Sequence, residues 1–329
     1  MVRRLIMMRA CVLLFLVAIV GCDAAKEERD NGLSRVSIQL NWYPEMEHGG
    51  IYQAQVASAF KEQGLEVEIR PGGRAVPIGA ELELGRCQFA IANADDIVLA
   101  RNQGLDLVAV YAAMQNHPRC ILVREESGVK SFDDLKGLTL QRSEGRAYVE
   151  FLRAKGLLDG VHEVPYLGSV ASLVADPKTA VQGYSIAEPF LARQQGVKVR
   201  TLMVSDLGMN PYSSVLVTSG KTIRESPELV RQFVKAASQG WQAYVDDPKL
   251  ANDAILKVNK HGMTPEALVF GAQEFTKLAL PDGMPKAELG KMTADRWRIL
   301  VEQLEAIGIV DKGNVDPESC YTTQFLRHE

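Results

Sequence analysis

Short apolar strands alternate with amphipathic helices from Val36 onward, and this alternation restricts the fold more than any other feature of the chain. The runs QFAIANAD and LVAVYAAM are rich in apolar residues and bounded by turn residues, which is typical of buried strands. Segments such as GGIYQAQVASAFKEQG and DIVLARNQG carry apolar residues at helical spacing and predict helices. Because repeated strand–helix–strand units pack around a parallel sheet, the folded part is predicted to be α/β.

The same pattern restarts after QNHPR and predicts a second lobe. Strands CILVRE and LTLQ alternate with helices SFDDLKG and GRAYVEFLRAKG, and one more strand, VLVTS, follows GMNPYSS. The chain would therefore cross between lobes near residues 114–120 and again near residues 207–215. A long helix follows, with Ser226 as its cap and Pro227 at its first position. We predict two doubly wound α/β lobes joined by two crossing strands, with the C-terminal helices returning to lobe 1.

Six loops after the predicted strands are the richest in Gly, Asn, aromatic and acidic residues. They are NWYPEMEHGG, RPGGR, ANADD, MQNHP, RSEG and YSIAEP. Open α/β sheets bind ligands at the carboxyl ends of their strands, so these loops are expected to face a cleft between the lobes. The first loop displays two aromatic rings and an imidazole, from which a purely structural turn gains little stability. It predicts a small-molecule site.

The N-terminus has the pattern of an export signal. Arg3, Arg4 and Arg9 precede an apolar run that ends at Gly21-Cys22 and is too short to span a bilayer comfortably. The segment IVGC resembles the lipobox of bacterial lipoproteins, which implies that acylated Cys22 anchors the protein to a membrane. A soluble secreted protein with a chance cysteine is the alternative. The polar segment that follows predicts a flexible tether.

These features divide the chain into predicted segments. About 290 residues remain after the tether, which is enough for two lobes. The predicted boundaries are a lipoprotein signal peptide at 1–22, a tether at 23–35, lobe 1 at 36–117, lobe 2 at 118–210, and a return to lobe 1 with the C-terminal helices at 211–329.

Charge and cysteine content exclude two classes of function. The formal net charge is -4, so nucleic-acid binding has no electrostatic support. Cys87, Cys120 and Cys320 remain beyond the signal and Cys22, and no CxxC occurs among them. This spacing argues against a zinc site and against a disulfide framework. Whether one pair, such as Cys87 with Cys120, forms a disulfide stays open.

Several segments resemble the periplasmic substrate-binding proteins of ABC importers. QLNWYPEMEHGGIYQAQ is similar to the branches that bind pyrimidine precursors of thiamine (SsuA/THI5-like) and riboflavin. AEPFLARQQG and SSVLVTSGKTIRESPELVRQFVKAASQGWQAYVDDP are shared more widely, including with taurine, sulfonate and nitrate binders. The resemblance covers nearly all of residues 36–248. The chain departs from it at Ala187, where relatives often have Asn, which removes one expected ligand contact.

The resemblance implies a type II periplasmic-binding-protein fold whose two lobes close on a ligand by a hinge. It implies a monomer that needs no cofactor, binds an aminopyrimidine-like molecule, and delivers it to an ABC permease at the periplasmic face of the cell membrane. The candidate ligand-binding residues are Asn41, Trp42, Tyr43, His48, Gly49, Gly50, Gly72, Gly73, Asn93, Asp95, Gln115, Glu144, Tyr184, Glu188 and Tyr212.

Physical chemistry suggests a role for some of these residues. A flat heteroaromatic ring is held by burial and offset stacking, which Trp42 and Tyr43 can supply, with Tyr184 or Tyr212 on the opposite wall. Amino groups and ring nitrogens need paired donors and acceptors, for which Asn41, Asn93 and Glu188 are suited. The amides of Gly49 and Gly50 open a helix and favour an acceptor.

Structural alternatives stay open at several positions. His48 either donates to the ligand or caps a helix. Asp95 is either a ligand contact or, with Asp96, part of a helix cap. Gly72 and Gly73 form either a binding loop or only a turn. Glu144 is either a ligand contact or a first-turn helix charge.

Two other functions compete with solute binding for import. The first is an enzyme that builds the thiamine pyrimidine, although its eukaryotic relatives carry a cysteine-rich cluster that this chain lacks. No motif for metal-assisted or nucleophilic catalysis is present, and the Ser of QRSEG has no GxSxG context. The second is a sensor subunit that docks on a membrane kinase.

Overall fold

The structure, a computed structural model, describes residues 29–30, 32–74 and 76–326. The predicted signal peptide, Cys22 and the first part of the tether lie outside these residues. The strands are β1 (Arg29–Asp30), β2 (Leu33–Gln39), β3 (Leu65–Arg70), β4 (Phe89–Ala92), β5 (Leu107–Met114), β6 (Arg119–Arg124), β7 (Thr139–Arg142), β8 (His162–Pro165), β9 (Thr179–Tyr184), β10 (Val199–Met203) and β11 (Ser213–Ser219).

Helices follow most of the strands. They are α1 (Gly49–Val56), α2 (Ala59–Glu62), α3 (Ile78–Glu83), α4 (Ala94–Asn102), α5 (Ala147–Ala154), α6 (Ala171–Ala175), α7 (Glu188–Gln194), α8 (Gly220–Glu225), α9 (Pro227–Asp246), α10 (Lys249–Val258), α11 (Pro265–Ala279) and α12 (Ala294–Ala306). Short 3₁₀ helices occupy Met46–His48, Glu125–Ser127, Phe132–Leu135, Val204–Leu207, Pro281–Gly283, Lys286–Glu288 and Pro317–Cys320.

The strands form two separate sheets. One has the order β1-β2-β4-β11-β5, with β3 also paired to β2, and the other has the order β10-β6-β9-β7-β8. We call the parts of the molecule built around them lobe 1 and lobe 2. The chain leaves the first sheet after β5 and re-enters it at β11, so two connections join the lobes. The predicted architecture of two α/β lobes is therefore observed.

Both sheets are mixed, whereas the sequence pattern predicted parallel sheets. In lobe 1, β2 runs parallel to β3 and β4, but β11 is antiparallel to β4 and β5. In lobe 2, β7 is parallel to β8 and β9, but β6 is antiparallel to β9 and β10. The reason is the double crossing: Ser213, the first residue of β11, pairs with Met114, the last residue of β5. A strand that re-enters where its neighbour leaves must run in the opposite direction.

The end of the predicted tether is also more ordered than expected. Strand β2 begins at Leu33, before the predicted start of the folded part at Val36. The backbone of Arg29–Asp30 pairs antiparallel with β2, joining Arg29 to Ser34 and Asp30 to Leu33. Polar composition predicted a chain without structure here, but the free edge of β2 offers backbone partners that composition does not reveal.

The C-terminal helices cover lobe 1, as predicted. Phe233 of α9 stacks on Phe89 of β4 at a ring-centroid distance of 3.9 Å. Trp241 of the same helix is fully buried and stacks on Phe275 of α11 at 4.8 Å. Stacked aromatic pairs add to the large apolar area that these side chains bury. The helices that follow β11 thereby pack on the sheet of lobe 1 through buried aromatic side chains.

Helix α1 packs against α9 through glycines. A Cβ atom on Gly50 would overlap the Trp241 ring, and one on Gly49 would overlap the Tyr244 ring. A Cβ atom on Gly240 would overlap the carbonyl oxygen of Gly50. The Gly pair predicted to present amides to a ligand therefore serves the close approach of two helices.

Replacing Gly50 by Ala is expected to destabilise the fold by about 1–3 kcal/mol, because the added methyl group overpacks this contact. Val56→Ala on the same helix is the control, since Val56 is 41% exposed and surface changes stay within roughly 0.5 kcal/mol. Urea unfolding followed by circular dichroism measures both. Unchanged stability of Gly50→Ala together with lost ligand binding would instead place Gly50 in the ligand site.

Candidate functional site

A cleft between the two lobes collects side chains from several predicted strand-end loops. The space between its walls, counted to the open mouth, is about 560 Å³. Its lining residues are Asn41, Trp42, Glu45, Glu47, Asn93, Arg119, Ser143, Arg146, Tyr166, Gln182, Gly183, Tyr184 and Glu188.

Lobe 1 contributes the loop between β2 and α1, and backbone contacts hold this loop in place. The amide of Gly72 donates to the carbonyl oxygen of Trp42 at 3.0 Å. A Cβ atom on Gly72 would overlap the carbonyl oxygen of Leu40, so only glycine allows this approach. From the other side, Asn259 Nδ2 donates to the carbonyl oxygen of Pro44 at 2.7 Å. The loop is thus a supported platform for its side chains.

His48 fixes the orientation of Asn41 and is not itself in the cleft. The ring is fully buried, and its Nδ1 accepts a hydrogen bond from the Glu45 amide at 3.3 Å. The proton is therefore on Nε2, which donates to Asn41 Oδ1 at 3.0 Å. Burial lowers the pKa of His48 to about 3, so the ring is neutral at physiological pH. In the structure, His48 therefore caps the turn at Glu45 and positions Asn41, and it does not line the cleft.

Aromatic rings stand on both sides of the cleft. Half-buried Trp42 of lobe 1 also contacts the apolar cluster of lobe 2 that contains Tyr166. Tyr184, the last residue of β9, lines the opposite wall. Tyr43 does not line the cleft, because its ring stacks on His261 at 3.5 Å. The ring pair that the structure brings to the cleft is Trp42 with Tyr184, and Tyr43 instead buttresses the loop.

Three carboxyl groups form an acidic wall, which we define as Glu45, Glu47 and Glu188. Glu45 and Glu47 come from lobe 1 and are buried, and Glu188 begins α7 in lobe 2. Glu188 accepts hydrogen bonds from the Tyr184 amide at 2.7 Å and from the Tyr166 hydroxyl at 3.2 Å. Glu47 Oε2, by contrast, is buried without a hydrogen-bond partner. The acidic wall therefore has an unused acceptor.

Burial makes the acidic wall hold protons more tightly. Desolvation raises the pKa of Glu47 to about 8, and Glu188 adds to the effect by charge repulsion. Desolvation, followed by repulsion from Glu47 and Glu188, also raises the pKa of Glu45 well above its usual range. The pKa of Glu188 is raised by burial as well, against the hydrogen bond from the Tyr184 amide. Donor groups or positive charge in the cleft would relieve this repulsion.

Side chains on the opposite side of the cleft join the lobes. Asn93 Nδ2 donates to the Tyr184 hydroxyl at 3.1 Å, and Asn93 Oδ1 accepts from Ser213 Oγ at 2.8 Å. Arg146 of lobe 2 forms an ion pair with Asp96 of lobe 1 at 3.1 Å. The hydrogen bond from Asn93 to Tyr184 and the ion pair of Arg146 with Asp96 both cross the cleft. The structure therefore shows the two lobes brought together.

Arg119 provides a cation within the cleft. It begins β6, directly after the first crossing, and its guanidinium lies over the rings of Tyr184 at 4.4 Å and Tyr148 at 5.1 Å. Such placement stabilises a desolvated cation by its attraction to the π faces. The Coulomb attraction of Arg119 also acts to lower the pKa of Glu47 across the cleft.

Several residues predicted for the site lie elsewhere. Gln115 Nε2 donates to the carbonyl oxygen of Lys291 at 3.0 Å, holding the C-terminal segment. The Tyr212 hydroxyl accepts from the Thr293 amide at 3.0 Å, and the residue does not line the cleft. The Glu144 side chain is 84% exposed and does not line the cleft. Sequence placed these residues in the correct loops but could not give the direction of each side chain.

Most of the remaining candidates line the cleft or a chamber beside it. Asn41, Trp42, Asn93, Tyr184 and Glu188 line the cleft itself. Asp95 lines a second, smaller chamber next to it. Gly73 lines a neighbouring groove. Gly49, Gly50 and Gly72 serve backbone packing instead.

The candidate list missed several lining residues. Glu45 and Glu47 lie in the loop quoted for its aromatic rings, and their acidic character was the available signal. Ser143 and Arg146 lie in or beside the predicted loop RSEG, and Arg119 directly follows MQNHP. A cation next to a strand-end loop was therefore visible in the sequence. Tyr166 and Gln182 gave no comparable signal, because both lie within predicted strand segments.

Cysteine and metal chemistry receive no support from the described part of the chain. Cys87, Cys120 and Cys320 are buried and free, so the disulfide left open between two of them is not formed. Across residues 29–30, 32–74 and 76–326, no group of three or more His, Cys, Asp or Glu side chains is placed to hold a metal ion. Within the same residues, no helix has the length and apolar character needed to cross a bilayer.

The family model described as NMT1/THI5 like matches residues 45–251, which is more than half of the chain. The chain belongs to the NMT1/THI5-like family. This family assignment confirms the SsuA/THI5-like resemblance predicted from the loop NWYPEMEHGG and the later motifs.

Relatives within this family include both binding proteins and enzymes. A formylaminopyrimidine-binding protein from Halalkalibacterium halodurans is 26% identical over 306 residues, covering 90% of this chain and 92% of the relative. The riboflavin-binding protein RibY from Chloroflexus aurantiacus is 25% identical over 312 residues, covering 89% and 86%. A 4-amino-5-hydroxymethyl-2-methylpyrimidine phosphate synthase from Legionella pneumophila is 21% identical over 302 residues, covering 89% and 92%.

Solved structures agree with the fold. The periplasmic aliphatic sulphonate binding protein SsuA from Escherichia coli superposes with a TM-score of 0.67 at 15% identity, covering 90% of this chain and 94% of SsuA. The predicted type II periplasmic-binding-protein fold is thus confirmed. At this level of identity the likeness concerns the fold alone.

The raised pKa of Glu47 makes a prediction for the ligand-free protein. A folded-state pKa of about 8, compared with 4.5 for an ordinary Glu, means that the folded state binds more protons between these values. Stability from this group is therefore lost as the pH rises towards 8. From pH 6.5 to 8.5, the free energy of unfolding should fall more in the wild type than in Glu47→Gln. Urea titrations at both pH values measure this, with exposed Glu144→Gln as the control that keeps the wild-type slope. Equal slopes in wild type and Glu47→Gln would show that Glu47 titrates normally.

Proposed function

We propose that this protein is the lipid-anchored solute-binding component of an ABC importer that captures a thiamine pyrimidine precursor and delivers it to the permease. The observation that carries the proposal is the acidic wall beside the Trp42 and Tyr184 rings, with the unpartnered Glu47 Oε2. A flat ring that carries N–H donors is complementary to this combination of groups. The formylaminopyrimidine-binding protein named above supports the same ligand class by its relationship to this chain.

The acidic wall discriminates among the ligands that the sequence left open. Taurine sulfonate and nitrate are anions, and three carboxyl groups around one cleft oppose an anion whenever they are ionised. Of the two guanidinium groups that line the cleft, Arg146 is paired with Asp96, and Arg119 balances at most one of these charges. An aminopyrimidine brings an exocyclic amino group and basic ring nitrogens, which a carboxylate and a protonated carboxyl can each match. Because burial raises the pKa of all three groups, they match the pyrimidine chiefly as hydrogen-bond donors and acceptors, and they add repulsion of the anions to the extent that they ionise. This pattern favours the pyrimidine branch over the sulfonate and nitrate branches.

A binding function also fits the site better than turnover does. Glu188 accepts hydrogen bonds from the Tyr166 hydroxyl and the Tyr184 amide, and His48 is occupied by Asn41 and the Glu45 amide. No nucleophile–base pair was identified among the cleft-lining residues of the described chain. The alternative is a synthase activity like the one named for some relatives. Incubating the protein with the ligand and analysing the products by mass spectrometry tests this alternative.

Isothermal calorimetry against an aminopyrimidine, riboflavin, taurine and nitrate tests the ligand class. We expect the aminopyrimidine to bind at about micromolar affinity or tighter, which is ~8 kcal/mol, and the two anions to bind far more weakly. Trp42→Ala should weaken aminopyrimidine binding by roughly 1–3 kcal/mol through lost stacking. Tyr43→Phe is the matched control, because it keeps the stack on His261 outside the cleft. Binding of taurine or nitrate alone would transfer the protein to the corresponding branch.

The lipid anchor is a separate part of the proposal and rests on the arginine-flanked apolar run that ends in IVGC. When the full chain is expressed in a bacterium that processes lipoproteins, it should fractionate with membranes, and mass spectrometry should find acyl chains on Cys22. Cys22→Ala should release the protein from the membrane. Membrane association that persists in Cys22→Ala, without lipid on the wild type, would exclude this anchor.

A further inference from the structure

Helix α11 meets segments of both lobes at a single residue, Gly271. A Cβ atom on Gly271 would lie 2.6 Å from Met46 Cγ and 2.7 Å from the carbonyl oxygen of Ile186. Met46 stands between Glu45 and Glu47 in the loop after β2, whereas Ile186 follows β9 of lobe 2. Atoms from both lobes therefore occupy the space into which any other residue would place its side chain.

Neither neighbour of Gly271 can move aside without moving part of the acidic wall. Met46 is fully buried, so a close-packed core surrounds its side chain. Ile186 is fully buried as well, and it lies inside the turn in which Glu188 accepts a hydrogen bond from the Tyr184 amide at 2.7 Å. A shift of the Ile186 backbone would carry Glu188 with it, and a shift of Met46 would carry the carboxyl groups on either side of it.

Contacts beside Gly271 join the two lobes outside the cleft. The Phe270 ring of α11 stacks on Phe190 of α7 at a centroid distance of 5.2 Å. The Arg193 guanidinium of α7 lies over the Phe270 ring at 4.9 Å, which adds a cation–π attraction. Because Glu188 is the first residue of α7, these contacts hold the helix that presents it to the cleft.

The helix itself gains nothing from a glycine at this position. Gly271 lies in the interior of α11, which spans Pro265–Ala279. Glycine lowers helix stability relative to alanine because it loses more backbone freedom on folding. The missing side chain instead allows the loop of lobe 1 and the turn of lobe 2 to meet at α11.

We propose that Gly271 is a positioning residue for the acidic wall, setting the separation between Glu47 of lobe 1 and Glu188 of lobe 2. It does not line the cleft and acts through Met46 and Ile186. The expected effect on ligand affinity rests on the proposed function, whereas the spacing of the carboxyl groups does not. A side chain at this position would part the two halves of the wall, which reduces their repulsion and admits water.

The carboxyl group of Glu47 reports on this spacing without any ligand. Burial, with repulsion from Glu188, raises the pKa of Glu47 to about 8. Parting the wall weakens both causes and would bring this pKa down. The titratable and charged neighbours of Glu47 come from its own turn, from lobe 2 and from α9, and are Glu45, His48, Arg119, Tyr184, Glu188 and Tyr244.

Urea unfolding at pH 6.5 and 8.5 tests the spacing in the wild type, in Gly271→Ala and in Val269→Ala, an exposed change on the same helix. A pKa raised in the folded state makes stability fall as the pH rises towards it. The wild type and Val269→Ala should show the same fall. Gly271→Ala should show about half of it or less. Overpacking alone would lower stability equally at both pH values, leave the fall unchanged and overturn the proposal.

Calorimetry with 4-amino-5-hydroxymethyl-2-methylpyrimidine gives the second readout. Gly271→Ala should bind it at least about tenfold more weakly than the wild type, since a hydrogen bond to a charged group is lost. Adding Met46→Ala to Gly271→Ala removes one of the two obstructing groups and should restore affinity by at least about threefold. A folded Gly271→Ala with wild-type affinity, or a double variant without recovery, would overturn the positioning role.

If Gly271→Ala does not fold, Phe270→Ala takes its place, because it loosens α7 from α11 and leaves Gly271 intact. It should show the same smaller fall of stability with pH and the same weaker binding, and unchanged values of both would overturn the proposal. A wild type that binds no pyrimidine, together with the smaller fall in Gly271→Ala, would refute the proposed function and leave the positioning role standing.

Discussion

Glu45 and Glu47 of lobe 1 lie together with Glu188 of lobe 2 in a cleft that removes their carboxyl groups from bulk water. Burying like charges together is unfavourable unless protons, a cation or ligand donors compensate. Arg119 compensates only in part. Under the proposed function, a ligand that brings donors to this wall would stabilise the arrangement with the lobes together more than an arrangement with them apart, which is the requirement for ligand-driven closure.

The scaffold around the acidic wall limits how far its side chains can adapt. Close packing of α1 against α9, at Gly50 and Gly240, holds the helix that directly follows the loop. His48 then holds Asn41, and Gly72 holds the backbone of Trp42. A platform fixed in this way loses little conformational entropy on binding. The supports of these cleft-lining side chains, namely His48, Gly72 and the contact of α1 with α9, themselves lie outside the cleft lining.

Sequence predicted the strand–helix alternation, the two lobes and the long helix at Pro227, because each has a local periodic or turn signal. It also predicted that the loop after β2 faces the cleft. The direction of the strands could not be predicted, since the apolar periodicity is the same in parallel and antiparallel strands. The direction of each side chain could not be predicted either. Tyr43 and Trp42 are adjacent, yet Tyr43 stacks on His261 and Trp42 lines the cleft. Glu45 and Glu47 belong to the same loop, and their importance emerges only when Glu188 is placed beside them by the fold.

A crystal structure of the protein with a bound 4-aminopyrimidine tests directly whether the acidic wall binds the ligand's donor groups. We expect the ring to lie between Trp42 and Tyr184, with its exocyclic amino group within hydrogen-bond distance of Glu47 Oε2. In that position the ligand satisfies the acceptor that the protein leaves unpaired. A ring bound with its amino group directed to solvent, or an anion held on Arg119 with the acidic wall unused, would contradict this view of the cleft.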